Sequence, residues 1–221
     1  MIARSQNNWK SKPGGWDSLH LEKLNFNGDY PILNCYEMPI VKRIANIHDS
    51  NCITENCLIS TFVNDYLLER FWSNPWRYLD KFCLSSGVMS PDYSLLVDMP
   101  KPLQMFNVYK NRYVGFEWQR AGLNVIPTVS WSDSKSFEFC FEGIQNGSIV
   151  SVSNIGCLTK KQKKFFDAGY NEMINRIQPK NIIFMANKKY RHYYEANNVI
   201  FIDSHFEKKR KQWAEEAVNA L

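Results

Sequence analysis

No stretch of the chain holds the roughly 20 consecutive apolar residues that a membrane-spanning helix requires, so no membrane partner is expected. The opening run MIARSQNNWKSKPGG has no apolar centre and does not read as a secretory leader. The expectation is an intracellular, cytoplasmic protein. Paired CxxC cysteines are absent too. Cys35, Cys52, Cys57, Cys83, Cys140 and Cys157 are spread along the chain, and His20, His48, His192 and His205 do not cluster with them, which argues against a structural zinc site. In RYLDKFCL and FEFCFEG the cysteine sits in an apolar run, where a reduced thiol packs as a small buried side chain. No GxGxxG or GxxxxGK[ST] follows an apolar run, and GxSxG, HExxH and HxE…PCxxC are missing. Dinucleotide, P-loop, serine hydrolase, zincin and zinc deaminase chemistries lose their usual support.

What is present describes a packed protein. With 221 residues, 44% of them apolar and 14% aromatic, the chain reads as one domain over 1–221 with a sizeable core. Its formal charge of +5 is uneven: from Thr159 onward there are thirteen Lys plus Arg against seven Asp plus Glu. The runs KKQKK, KKYRH and KKRK in this basic C-terminal third either attract a nucleotide or nucleic acid through its phosphates or form the wet faces of surface helices.

Past about residue 57, short apolar runs alternate with longer amphipathic ones, the pattern of an α/β fold built from repeated βα units. Six buried strands are expected in 57–63, 87–90, 124–131, 148–154, 181–187 and 198–204, with PILNCYEMPIV over 31–41 supplying an earlier one. A helix is expected over Lys160–Gln178, where Phe166, Tyr170, Met173, Ile174 and Ile177 share a face, and another over Phe206–Leu221. Asn74–Pro75 divides the helical segment 66–84. Such repetition predicts a TIM-like β/α barrel, incomplete or distorted at this length, or alternatively an open doubly wound parallel sheet. Residues 1–30 read as an N-terminal arm on a 31–221 core.

In both architectures ligands bind where the strands end at their carboxyl side. Those ends carry Asn64 and Asp65, Asp92, Trp131 and Asp133, Asn154, Asn187, and Asp203 with His205. Asp and Asn there also serve as helix caps, each contributing about 1 kcal/mol. Asp98 precedes the helix containing LQMFNVYKNRYVGFEWQ and reads as its N-cap, whereas Asp92 behind Pro91 has no such local duty. On that helix Gln104, Asn107 and Asn111 form one polar line beside Arg112, available either to a ligand or to a neighbouring loop. PDYSLLVDMPK misses the PD-(D/E)xK nuclease spacing by one residue, and the tyrosine pairs Tyr109/Tyr113 and Tyr190/Tyr194 have no His-x-His companion.

ERFWSNPWRYLDKF, GVMSPDYSLLVDMPKPLQMFNVYKNR, VIPTVSW and FEFCFEGI followed by SVSNIGC, in that order, are similar to a family catalogued as a domain of unknown function and met mostly in phages, prophages and conjugative elements. The resemblance implies a phage-associated protein in the host cytoplasm and brings no assigned reaction. After VIPTV the family pattern continues Arg-Trp-Gly-Asp-like, where this chain has Ser130, Trp131, Ser132 and Asp133.

Two functional expectations follow. One is a hydrolase-like enzyme acting on a phosphate-bearing or nucleic-acid substrate, with Asp65, Asp92 and Asp133 as acid/base or cation-binding groups. Arg70, Gln104, Asn107, Asn111, Arg112, Trp131, Asn154 and Asn187 would bind substrate, and a divalent cation is an open cofactor. The other is a non-catalytic factor binding a nucleotide or a host protein.

Overall fold

The computed structural model describes residues 26–27, 29–49, 53–157 and 159–203. A short antiparallel pair, β1 (Phe26–Asn27) and β2 (Tyr30–Pro31), leads into two parallel sheets. The first contains β3 (Arg43–Asn46), β4 (Cys57–Ser60), β5 (Gly87–Met89) and β6 (Val125–Ile126), side by side in chain order. The second contains β7 (Val150–Ser153), β8 (Ile182–Met185) and β9 (Val199–Ile202), again in chain order. A parallel bridge between Thr128 and Ser151 joins them. The Val129 amide donates to the Ser151 carbonyl at 2.9 Å and the Ser151 amide to the Pro127 carbonyl at 2.8 Å. Pro127 has no N–H to extend the ladder, which limits this junction to a bridge.

The crossovers are helical. α1 (Asp65–Ser73) and α2 (Leu79–Phe82) flank the expected break at Asn74–Pro75, and α3 (Lys101–Arg120) and α4 (Lys160–Ile177) follow. Thr159 and Gln162 form a reciprocal capping box at the start of α4. Glycine at 169 lets α4 lie on Trp131, since a Cβ there would meet the indole at 2.2 Å. α3 is the central helix, burying Gln104, Asn111, Arg112, Glu117 and Gln119 along with Val108, Tyr113, Val114, Phe116 and Trp118.

Strand alternation sorts the core into two kinds. Cys57, Ile59, Val88 and Val125 meet α1 and α3, while Val150, Val152, Ile182 and Phe184 meet α4. The opposite faces of both sheets share one further cluster, with Leu58, Met89, Ile126, Ile183, Met185 and Ile202 packed together and Ile44 against them. Each such side chain contributes about 1.5–3 kcal/mol when fully buried.

The α/β expectation with parallel strands holds, and all six strand segments carry a strand. Among the described residues no ladder pairs β9 with β3, so the sheets are open. Three local expectations change. The segment 31–41 gives Pro31 to β2 and a parallel bridge from Leu33 to Ile144, but does not join the four-stranded sheet, whose first strand is Arg43–Asn46. Instead Gln119 holds the Asn34 amide and carbonyl at 2.9 and 3.1 Å, and Gln145 takes the Cys35 amide, drawing the segment across α3. β9 is an edge strand rather than a buried one, with Ile200 41% exposed. The N-cap of α3 is Pro100, which leaves Asp98 exposed. The expected arm up to residue 25, His205 and the helix over 206–221 lie outside the described residues.

Candidate functional site

All seven parallel strands point the same way, so their carboxyl ends share one rim. A cleft of about 560 Å3 opens there, lined by the loop from Asp92 to Asp98, by Val129–Ser132 after β6, by Ser153–Cys157 after β7 and by the first turns of α4. A second cleft of about 440 Å3 adjoins it, lined by Asn46 at the end of β3, His48 beyond it, Phe62–Asn64 after β4, and Met185. Asp92, Ser153 and Ile155 belong to both, so the two form one groove across the strand ends.

Asp92 is half-buried at this junction. Burial, reinforced by the nearby Asp65 carboxylate, pushes its carboxyl from 3.8 up to about 7. Its neighbours are all held. The Tyr93 hydroxyl donates to the Leu68 carbonyl at 3.0 Å and the Tyr93 amide to the Pro91 carbonyl at 3.1 Å. Both the Ser94 amide and the Ser94 hydroxyl donate to Asp65, the latter at 2.9 Å. Among the described residues no side chain or amide hydrogen-bonds the Asp92 carboxylate. A carboxyl held in place by its backbone, open to a cleft and titrating near neutrality has the properties of a general acid or base.

The polar line of α3 serves the loop that carries Asp92. Asn111 donates to the Pro91 carbonyl at 2.6 Å, Asn107 to the Ser94 carbonyl at 2.8 Å, and Gln104 to the Leu96 and Met99 carbonyls at 3.0 and 2.8 Å. Asn111 also accepts from Ser90 Oγ at 2.9 Å and from Arg112 Nη1 at 2.6 Å. Beneath the loop, Thr61 and Thr128 hydroxyls both donate to the Ser90 carbonyl, at 2.7 and 2.6 Å. This buried network ties β4, β5 and β6 together, and every carbonyl it satisfies avoids a desolvation cost of about 1–3 kcal/mol.

The other sequence candidates separate. Trp131 lines the larger cleft, its ring tilted against Phe166 with centroids 5.1 Å apart. Asp65 clamps Ser94 beside Asp92. Asp133 caps the 3-10 turn Ser134–Glu138 through the Lys135 amide at 3.0 Å and does not line either cleft. Asn187 caps the 3-10 turn Lys188–Tyr193 and donates its amide to the buried Asn154 side chain at 2.9 Å. Arg70 lies over the Phe71 and Tyr78 rings, away from the groove. Arg112 is interior, giving its guanidinium to the Glu142, Thr128 and Cys140 carbonyls, and burial pulls its pKa down to about 10. Among the described residues no three Asp, Glu, His or Cys side chains gather as ligands for a metal ion.

The groove also contains residues not singled out from the sequence: Asn46, His48, Ser94, Ser153 and Lys161. For Asn46 and His48 the available signal was position after a strand, hidden because RIAN, with exposed Arg43, does not read as a buried strand. Lys161 was visible only as one of a run.

No solved structure matches the chain. It is 31% identical over 229 residues to the Gene 1 protein of Mycobacterium phage D29, covering 96% of this chain and 83% of that protein. It is 33% identical over 192 residues to the Gene 1 protein of Mycobacterium phage L5, covering 81% and 82%. A family model described as a domain of unknown function, DUF4417, matches residues 32–205, and the chain therefore belongs to that family.

Proposed function

We propose that this protein is a phage-associated enzyme that hydrolyses a phosphate-bearing or nucleic-acid-derived substrate in the groove, with Asp92 as the proton-transferring residue. The observation that carries the reading is Asp92 itself, fixed through its neighbours, free of hydrogen-bond partners among the described residues, and raised to about 7 at the junction of two clefts. Protonated, it gives a proton to a leaving oxygen; ionised, it takes one from water. Trp131 and Phe165 give the larger cleft an aromatic lining, and Lys161, 5.9 Å from the Phe165 ring centroid, offers a cation to a phosphate there. Asp65, Asn107, Asn111 and Gln104 act as positioning residues. The basic stretch from Lys160 onward raises the local concentration of anionic ligands.

We further read the two sheets as one curled, incomplete β/α barrel. The sequential strand order, the Thr128–Ser151 bridge and the apolar cluster shared by both sheets support that reading.

The test is hydrolysis of bis(p-nitrophenyl) phosphate, p-nitrophenyl phosphate and a nucleotide panel by the wild type and by Asp92→Asn, with melting curves for both. Turnover lost in a folded variant supports the proposal. Saturable thermal stabilisation without turnover would instead favour a non-catalytic nucleotide-binding factor.

A further inference from the structure

We infer that His48 is the second proton-transfer residue of the groove, working from the smaller cleft on the same substrate as Asp92. The inference rests on the enzymatic reading of Asp92. Hydrolysis of an ester needs one group to take a proton from the attacking water and another to give one to the leaving oxygen, and one carboxyl cannot do both in a single step. In the smaller cleft the polar lining is Asn46, His48, Asn64, Asp92 and Ser153, of which the imidazole and the carboxyl are the two groups chemically suited to act as acid or base.

The backbone presents His48 deliberately at the rim. Ile47 is buried and its amide donates to the Ser60 carbonyl at 2.9 Å, anchoring the end of β3. The next two amides fold onto Asn46: that of His48 reaches Asn46 Oδ1 at 3.3 Å and that of Asp49 reaches the Asn46 carbonyl at 3.0 Å. This turn leaves the imidazole exposed above the strand end. Asp92 shares the lining of this cleft with His48, and the Asp65 carboxylate acts on Asp92.

The shared position of Asp92 assigns the arms of the substrate. For a phosphate ester, the leaving group occupies the larger cleft and the attacking water the smaller one. As the water oxygen bonds to phosphorus, its proton passes to the His48 imidazole. The bond to the leaving oxygen breaks, its electron pair stays on that oxygen, and the Asp92 carboxyl protonates it. The imidazolium then returns its proton to the Asp92 carboxylate through solvent, which closes the cycle without an oxidant or reductant.

The experiment compares the wild type, His48→Gln and Asp92→Asn as full-length chains with bis(p-nitrophenyl) phosphate, reading kcat/KM against pH, and titrates the His48 imidazole by NMR in the wild type and in Asp92→Asn. A base that must be neutral and an acid that must be protonated give a bell-shaped profile. His48→Gln should lower the rate about 100-fold or more and remove the acidic limb, with an unchanged melting temperature. His48→Gly should regain rate on adding imidazole. In the NMR arm, which needs no substrate, the His48 pKa should fall when the Asp92 charge is removed. His48→Gln keeping its rate and both limbs overturns the role of His48 and leaves that of Asp92 standing. Asp92→Asn keeping full rate overturns the reading beneath it. A His48 titration identical in the two proteins overturns the pairing whatever the probe does.

Discussion

Asp92→Asn tests the electrostatics of the groove before any substrate is known. A carboxyl with a folded pKa of about 7 against 3.8 holds a proton in the folded state that the unfolded chain has already released. The contribution of this one group to stability is therefore greatest below pH 4, declines as pH rises through the window from about 4 to 7, and stays lost above it. The full shift corresponds to about 4 kcal/mol, and solvent reaching this half-buried side chain lowers the expected cost to about 1–3 kcal/mol. Asparagine occupies the same volume and never ionises. Asp92→Asn should thus match the wild type near pH 4 and exceed it by about 1–3 kcal/mol above pH 7.5, a rise in melting temperature of about 2–4 °C per kcal/mol. Urea unfolding followed by tryptophan fluorescence across pH 4–8.5 gives the difference directly, because titrations common to both proteins cancel. A gap that does not change with pH, or a variant less stable than the wild type at pH 8, would refute the argument.

The clamps and contacts around the groove make further predictions. Asn111→Ala removes the donors to Pro91 and Thr128 and leaves Ser90 and Arg112 short of an acceptor; chemical denaturation should show a loss of about 2–4 kcal/mol. Gly169→Ala drives a methyl into the Trp131 indole and should cost about 1–3 kcal/mol, with a shift in tryptophan emission as the ring leaves its seat. If the lysines at the start of α4 help to hold a polyanion, affinity for single-stranded DNA should fall steeply between 50 and 200 mM salt, values typical of phosphate contacts at about that ionic range, and Lys160→Glu with Lys161→Glu should flatten the slope; a slope unchanged by the double variant removes that role.

Much of this architecture is legible in the amino-acid sequence. Apolar runs of four to eight residues separated by amphipathic stretches located the strands from β4 to β9, because a parallel strand covered on both faces must be apolar throughout. The failures have specific causes. The segment 31–41 has strand-like composition, yet beyond Pro31 and the Leu33 bridge the side chains of Gln119 and Gln145 capture its backbone and Pro39 has no ladder donor. β3 escaped notice because its four residues, RIAN, are half polar. Asp98 reads as a cap by its distance from the helix, but Pro100 takes the N-cap position before Lys101 with its own fixed φ.

The polar residues that end each strand follow from the order of amino acids alone, and so does the rim on which they lie, since parallel strands put every carboxyl end on one side. Which of those residues is left for chemistry does not. Asp65, Asp92 and Asp133 look alike in the linear chain. They differ because Ser94, 29 residues away, binds Asp65, and because the Lys135 amide binds Asp133, while Asp92 is left unbonded among the described residues beside a second carboxylate. Partner choice of that kind depends on distances across the folded chain, and burial sets the acidity of whichever group remains.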